Sequence, residues 1–303
     1  MRIRALTAVV LVGGLGLTLA ACGKEGTPAS PGGSNAAALP TYTVAQNVDV
    51  AGSPVFARIK AAGALTVGAK DDQPGLGSKD ATTGKFAGFD IEIAKLVSAG
   101  LGIDPEKITF KTVDSGAREQ SIANGDVNYY VGTYTINDKR KQQVGFGGPY
   151  YQAGQDLLVR KDDSSITGPE TLKGKKVCSV TGSTPIQRVR EQKLTEPGGS
   201  IVEFQKYSQC VEKLQSKEVD AVTTDDAILK GFAAQEPDKM KVVGKPFSKE
   251  PYGIGLNKDD KALRDKIDDI LQKAIDDGTW KKIYDATLGK SGSAATPPAI
   301  ERY

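Results

Sequence analysis

The chain has 303 residues, with 40 Lys and Arg against 37 Asp and Glu, and no histidine. The near balance of charge leaves no basic footprint for nucleic acid. The missing imidazole excludes Ser-His and Cys-His nucleophile pairs, histidine-ligated metals and the commonest general base.

At the N-terminus, Arg2 and Arg4 precede an uncharged, mostly apolar stretch from Ala5 to Ala21, the layout of a secretory signal. The stretch closes on Leu19-Ala20-Ala21-Cys22, which resembles the lipobox cut by lipoprotein signal peptidase. Residues 1–21 are then a signal peptide and Cys22 a lipidated first residue, palmitate included. The body would lie on the extracytoplasmic face of the cell membrane, held by two or more acyl chains. The alternative is an uncleaved anchor helix near the lower length for crossing a bilayer, weakened by Gly13, Gly14 and Gly16. Either reading leaves the body outside the cytoplasm. Removing residues 1–21 takes away two basic side chains and no acidic ones, so the body carries 38 minus 37, or +1. Residues 22–53, rich in Gly, Ser, Ala, Pro and Thr, read as a tether with a reach of about 30 Å.

About 240 residues remain after the tether, enough for one large α/β domain or two lobes. Short apolar runs alternate with longer amphipathic ones: a strand at 65–67, a helix at 90–101, a strand at 108–112, a helix at 117–124 and a strand at 127–131. The rhythm resumes with strands at 176–180, 201–204 and 219–223 and helices at 184–192, 208–216 and 225–234. Helical patterns at 261–277 and 279–288 follow, then an irregular tail over 291–303. This order predicts an α/β fold with mostly parallel strands. Asn124-Gly125-Asp126-Val127 and Lys217-Glu218-Val219-Asp220 echo one another, each joining a helix to an apolar strand, which argues for two similar lobes. Ligands of such sheets bind outside the carboxyl ends of the strands, so the site is expected in the cleft between lobes. In an oxidising compartment Cys178 and Cys210 form an even pair and a disulfide is expected; two free thiols are the alternative.

Three runs carry a family resemblance: Gly88-Phe89-Asp90-Ile91-Glu92-Ile93-Ala94, Thr133-Tyr134-Thr135-Ile136-Asn137-Asp138-Lys139-Arg140-Lys141 and Phe146-Gly147-Gly148-Pro149-Tyr150-Tyr151. Together they closely resemble the polar amino-acid-binding proteins of ABC importers, solute-binding protein family 3, from about Val55 to Leu288. Asp72-Gln73-Pro74-Gly75-Leu76-Gly77 and the Thr133 to Arg140 run look closest to glutamate-binding members. The resemblance implies a two-lobed, periplasmic-binding-protein-like type II clamp. Lobe 1 would take residues 54–150 and 255–290 and lobe 2 residues 151–254, with chain crossings near 150–154 and 251–255.

A zwitterionic amino acid needs cations and NH donors for its carboxylate and an anion for its ammonium. Arg140, in a short helix over 137–144 capped by Asn137, offers a planar fork for a carboxylate, the role its counterpart has in the family. Thr181-Gly182-Ser183-Thr184-Pro185 opens a helix with Ser183 or Thr184 as cap and Pro185 at the first position, so free NH groups there favour an anion. An ordinary cap is the plainer reading of that turn, and the resemblance turns it toward the same carboxylate. Asp225 is expected to pair with the α-ammonium, or else only to cap the next helix. Thr133 and Thr135 would add a carbonyl and a hydroxyl. Arg118 and Lys70 are where the resemblance implies cations for a side-chain carboxylate; for Lys70 a solvated loop lysine is the alternative. No cofactor, metal or catalytic group is expected.

The expected function is thus capture of L-glutamate, or aspartate, by a monomer that docks on permease subunits and is held at the membrane by its lipid. Glutamine or another polar amino acid, and an amino-acid sensor, stand as alternatives. A dehydratase on the same fold would need an acid or base beyond the clamp, for which Glu119 is the nearest candidate.

Overall fold

The computed structural model describes residues 38–196, 198, 200–291 and 295–303. The signal segment and Cys22 lie outside the described residues. The described chain begins with α1 (Pro54–Ala62), β1 (Leu65–Ala69), β2 (Asp72–Gln73), β3 (Gly77–Lys79), β4 (Phe86–Ala87) and α2 (Phe89–Gly100). It continues through β5 (Ile108–Thr112), α3 (Arg118–Ala123), β6 (Tyr129–Tyr130), α4 (Asp138–Lys141), β7 (Gly145–Ala153) and β8 (Gln155–Arg160). Then come β9 (Val177–Val180), α5 (Thr184–Glu191), β10 (Ile201–Phe204), α6 (Tyr207–Gln215), β11 (Ala221–Asp225) and α7 (Asp226–Gln235). β12 (Met240–Val243), β13 (Glu250–Leu256), α8 (Lys261–Asp276) and α9 (Thr279–Ala286) follow.

Two five-stranded sheets organise these elements, in the orders β5-β1-β6-β13-β7 and β10-β9-β11-β8-β12. We call the bodies built on them lobe 1 and lobe 2. Each sheet has a parallel core, β1 between β5 and β6 and β9 between β10 and β11, flanked by antiparallel strands. The sheets are therefore mixed rather than mostly parallel: β13 runs antiparallel to β6 and β7, and β8 to β11 and β12. Among the described residues the chain passes from lobe 1 to lobe 2 at Gly154, between β7 and β8, and returns through residues 244–249. The 251–255 segment expected as the return crossing lies inside β13 of the first sheet. Its glycines there make room for packing, since a Cβ on Gly253 would stand 2.6 Å from Ile136 Cγ1 and one on Gly255 2.8 Å from Tyr134 Cε1.

Local signals account for the helices. Ser53 caps α1 by accepting from Phe56 N, Pro54 opens it, and Gly63 closes it in the left-handed region at φ 61°. Asp260 caps α8 by accepting from Leu263 N. The apolar faces of α2, α8 and α9 close over the first sheet, where Phe89, Tyr150, Tyr151, Tyr252, Trp280 and Tyr284 form a buried aromatic cluster. Trp280 Nε1 donates to Tyr150 O at 2.8 Å, so the indole is buried with its donor satisfied. In lobe 2 a disulfide joins Cys178 on β9 to Cys210 on α6.

Two segments read as irregular from sequence are docked on lobe 1. Tyr42 Oη donates to Glu92 Oε2 at 2.8 Å, Ala45 N to Ala99 O at 2.9 Å, and Val50 is buried, so residues 42–50 lie along α2 instead of belonging to the tether. Near the other end, Phe146 N donates to Tyr303 Oη at 2.8 Å and Glu301 N to Gly148 O at 2.9 Å. β7 is an edge strand of the first sheet, and these contacts occupy its outward backbone groups.

Candidate functional site

The carboxyl end of β11 and the turn between β9 and α5 in lobe 2 face α3, α4 and the loop after β6 in lobe 1. Between them lies a nearly closed cleft whose cavity is only ≈ 10 Å³. Six of the residues singled out in the sequence line it: Arg118, Thr133, Arg140, Ser183, Thr184 and Asp225. Pro185 of the expected turn, with Ser115, Tyr207 and Ile228, which were not foreseen, completes the wall. Lys70 and Thr135 stand behind it, each acting through a neighbour.

Backbone geometry presents these groups. Arg140 is fixed in α4 by its cap, Asn137 Oδ1 accepting from Arg140 N at 2.9 Å. Ser183 caps α5 by accepting from Ile186 N; Thr184 starts the helix and Pro185 takes its second position, one later than expected. Thr133 sits at φ 47°, a conformation that a β-branched residue adopts only under constraint. The constraint is Asp90, whose Oδ2 accepts from Thr133 N at 3.1 Å and Oδ1 from Tyr150 Oη at 2.8 Å. Burial pushes the Asp90 carboxyl up to about 7, against those two donors.

The guanidinium groups converge. Arg140 Nη1 donates to Thr135 O at 2.7 Å and Nη2 to Gly182 O at 3.3 Å; Arg118 Nη1 donates to Thr133 O and Nη2 to Gly182 O, both at 3.4 Å. One lobe 2 carbonyl thus accepts from both lobe 1 arginines. The Tyr134 ring lies 4.3 Å from Arg118 Cζ and 4.9 Å from Arg140 Cζ, giving each cation an aromatic face. Burial, and then Arg118 beside it, pull the Arg140 guanidinium down to about 10. Gly182 itself sits at φ 77°, with Gly116 Cα 2.6 Å from where a Cβ would stand, so only glycine fits this crossing point. Lys70 Nζ donates to Ser115 Oγ at 2.9 Å, and burial followed by repulsion from Arg118 lowers it to about 7 despite Asp72, Asp114 and Asp71 nearby. Glu119, the candidate acid or base, is engaged with Arg140, Oε1 lying 3.3 Å from Nε.

Asp225 opposes this positive wall. It holds the cap position of α7, yet its side chain makes no capping bond. Tyr252 Oη donates to Asp225 Oδ2 at 2.7 Å, while Oδ1 is buried without a hydrogen-bond partner among the described residues. Burial pushes the carboxyl up to about 8, reinforced by Glu250 and opposed by the Tyr252 hydroxyl. Glu250 is fully buried, paired with Arg188 Nη1 at 2.8 Å, and accepts from Thr184 Oγ1 at 2.9 Å. Tyr252 and Glu250 come from β13, far from the other site residues in sequence, and no spacing announces them. Ser115 stands three residues before Arg118, and that proximity could have found it.

The groups around this cleft suit a small molecule with one cationic group, at Asp225 Oδ1, and anionic groups, at the arginines and the first turn of α5, admitted when the lobes part. A sequence profile of the bacterial extracellular solute-binding proteins, family 3, matches residues 65–290. The chain is 40% identical over 238 residues to the glutamate-binding protein GluB of Corynebacterium efficiens, spanning 75% of this chain and 80% of that protein. It is 41% identical over 230 residues to the ABC transporter glutamine-binding protein GlnH of Bacillus subtilis, spanning 76% and 82%. Among solved structures, an ancestral arginine-binding protein bound to arginine shares 37% identity with a TM-score of 0.69, covering 75% of this chain and 99% of that one. A match over most of the body, close relatives spanning most of both chains, and the same two-lobed architecture agree: the chain belongs to family 3 of the bacterial extracellular solute-binding proteins.

Proposed function

We propose that this chain is the amino-acid receptor of an ABC importer, closing on L-glutamate, or L-aspartate, and delivering it to permease subunits. The observation that carries the reading is the charge layout of the cavity, two arginines facing one aspartate whose Oδ1 has no hydrogen-bond partner among the described residues. The ammonium pairs with Asp225 Oδ1, and the α-carboxylate with Arg140 and the NH groups opening α5. Arg118, backed by Lys70 through Ser115, takes the side-chain carboxylate. Charge-assisted bonds contribute about 1.5–3 kcal/mol each, so a few reach the roughly −8 kcal/mol of a micromolar complex. Because these groups belong to both lobes, binding draws the lobes together. Glutamine is the second reading. It is favoured by the lysine being lowered to about 7 and standing behind the cavity wall, and by the Bacillus subtilis relative's name.

The same reading anchors the protein outside the cell membrane through lipid on Cys22. Metabolic labelling with an alkyne-tagged palmitate, lost in Cys22→Ala, tests it. Glutamate uptake unchanged by deletion of the gene, at equal transporter levels, would favour a sensor.

The site is tested by calorimetric titration with Glu, Asp, Gln, Asn and Arg, after unfolding and refolding to strip carried-over ligand. Tight glutamate binding that is lost in Arg140→Ala and weakened more for glutamate than for glutamine in Arg118→Ala supports the site as drawn. A preference for glutamine or arginine keeps the clamp and overturns the side-chain pocket; no binding overturns both.

A further inference from the structure

The segment Asp71–Gly75 in lobe 1 overlaps the Asp72–Gly77 run that resembles glutamate-binding members, yet none of its residues lines the ligand cavity. Three contacts with lobe 2 converge on it. Lys206 Nζ, at the cap of α6, lies 2.7 Å from Asp71 Oδ2. Ser208 N, in the first turn of α6, donates to Asp72 Oδ2 at 3.1 Å, so the positive end of that helix faces a carboxylate. Gly231 on α7 approaches Pro74 so closely that a Cβ there would stand 2.2 Å from Pro74 O. Lys206, Ser208 and Gly231 are likewise absent from the cavity wall.

We infer that Asp71–Gly75 is a closure latch, which holds lobe 2 against lobe 1 through Lys206, the start of α6 and Gly231. This rests on the reading of the chain as an amino-acid clamp. Apparent affinity scales with the population of the binding-competent arrangement, so a contact outside the cavity that favours the closed form tightens every ligand alike. The two kinds of contact act differently. The Lys206–Asp71 pair is partly exposed, with side-chain accessibilities of 38% and 17%, and is therefore weak and screened by salt. The Gly231 contact is steric and indifferent to salt. Gly231 also sits in the interior of α7, where alanine is the better helix former, so its glycine weakens the helix while permitting the approach of Pro74.

The test measures the distance between spin labels on Lys107→Cys of lobe 1 and Glu212→Cys of lobe 2, in the full chain carrying Cys22→Ser, with and without glutamate. Gly231→Ala should lengthen that distance and weaken glutamate and aspartate alike by about tenfold or more, through faster dissociation. Its melting temperature without amino acid should be unchanged or higher, which a merely damaged fold would not show. Lys206→Ala should weaken binding about two- to fivefold at low salt, with the difference vanishing near 1 M salt. Exchanging the charges, Asp71→Lys with Lys206→Asp, should recover part of the loss. Wild-type distances and affinities in Gly231→Ala would overturn the latch. If the unaltered chain binds no amino acid, the clamp reading fails on its own; a ligand-free distance unaltered by Gly231→Ala then also refutes the latch, and a lengthened one upholds it.

Discussion

Replacing Asp225 by asparagine should weaken the amino-acid complex and, at neutral pH, strengthen the fold. The folded carboxyl keeps its proton up to about 8, while the ordinary value is 3.8, so folding takes up a proton between those values and each pH unit upward costs stability. From 3.8 to pH 7 that amounts to about 4 kcal/mol. Asparagine removes this cost and can still accept from Tyr252 Oη, but its amide NH₂ falls where Oδ1 has no partner among the described residues, costing about 1–3 kcal/mol. The net expectation for Asp225→Asn is a gain of about 1–3 kcal/mol at pH 7, turning into a loss of similar size at pH 4, where the carboxylate cost is gone. Urea unfolding followed by circular dichroism at both pH values, on refolded protein free of ligand, reads the sign. Glutamate affinity should fall about tenfold to hundredfold in the same variant, as one charge-assisted bond is lost. A stability change that is the same at pH 4 and pH 7 would refute the reasoning, because it would mean that the buried carboxyl does not change its protonation on folding.

Binding itself should depend on pH. The ligand ammonium requires ionised Asp225, which among Glu250, Asp226, Arg188 and Tyr252 is protonated below about 8. Complex formation therefore releases a proton, and affinity should rise with pH between about 6 and 7, by up to tenfold per unit. Above about 7, uptake of a proton by Lys70 flattens the curve, and Lys70→Met should extend the rise toward 8. Calorimetry in two buffers of different ionisation enthalpy measures the proton count, and affinity falling from pH 6 to 7 would contradict the assignment. Removing the disulfide with Cys178→Ala and Cys210→Ala, which opens a loop of sequence separation 32, should cost about 3–4 kcal/mol in urea unfolding while leaving glutamate affinity within a few-fold. Equal stability would show that the bond constrains nothing in lobe 2. Gly182→Ala, at φ 77° and against Gly116, should lower affinity by more than about tenfold; wild-type affinity would show that the arginines do not need this crossing point.

Much of this was legible without coordinates, because it rests on local chemistry. The alternation of strand and helix periods, the caps at Asn137 and Ser183, and the cations at Arg118 and Arg140 are properties of short windows, and they lie where those windows place them. Tertiary structure alone decided the rest. β7 and β13 carry glycine and proline and read as a motif or a crossing, yet they are strands because each covers the other and both are buried. Residues 42–50 and 295–303 have no periodicity of their own; a buried glutamate and an unpaired sheet edge hold them. Lys70 is set behind Ser115 by the packing of lobe 1. The state of Asp225 depends on Tyr252 and Glu250, brought to it by the returning strand. A window of sequence carries the identity of a side chain and its local period, whereas desolvation and register are made by distant segments meeting, and at this site those two terms decide that the Asp225 carboxylate keeps one oxygen unpartnered among the described residues.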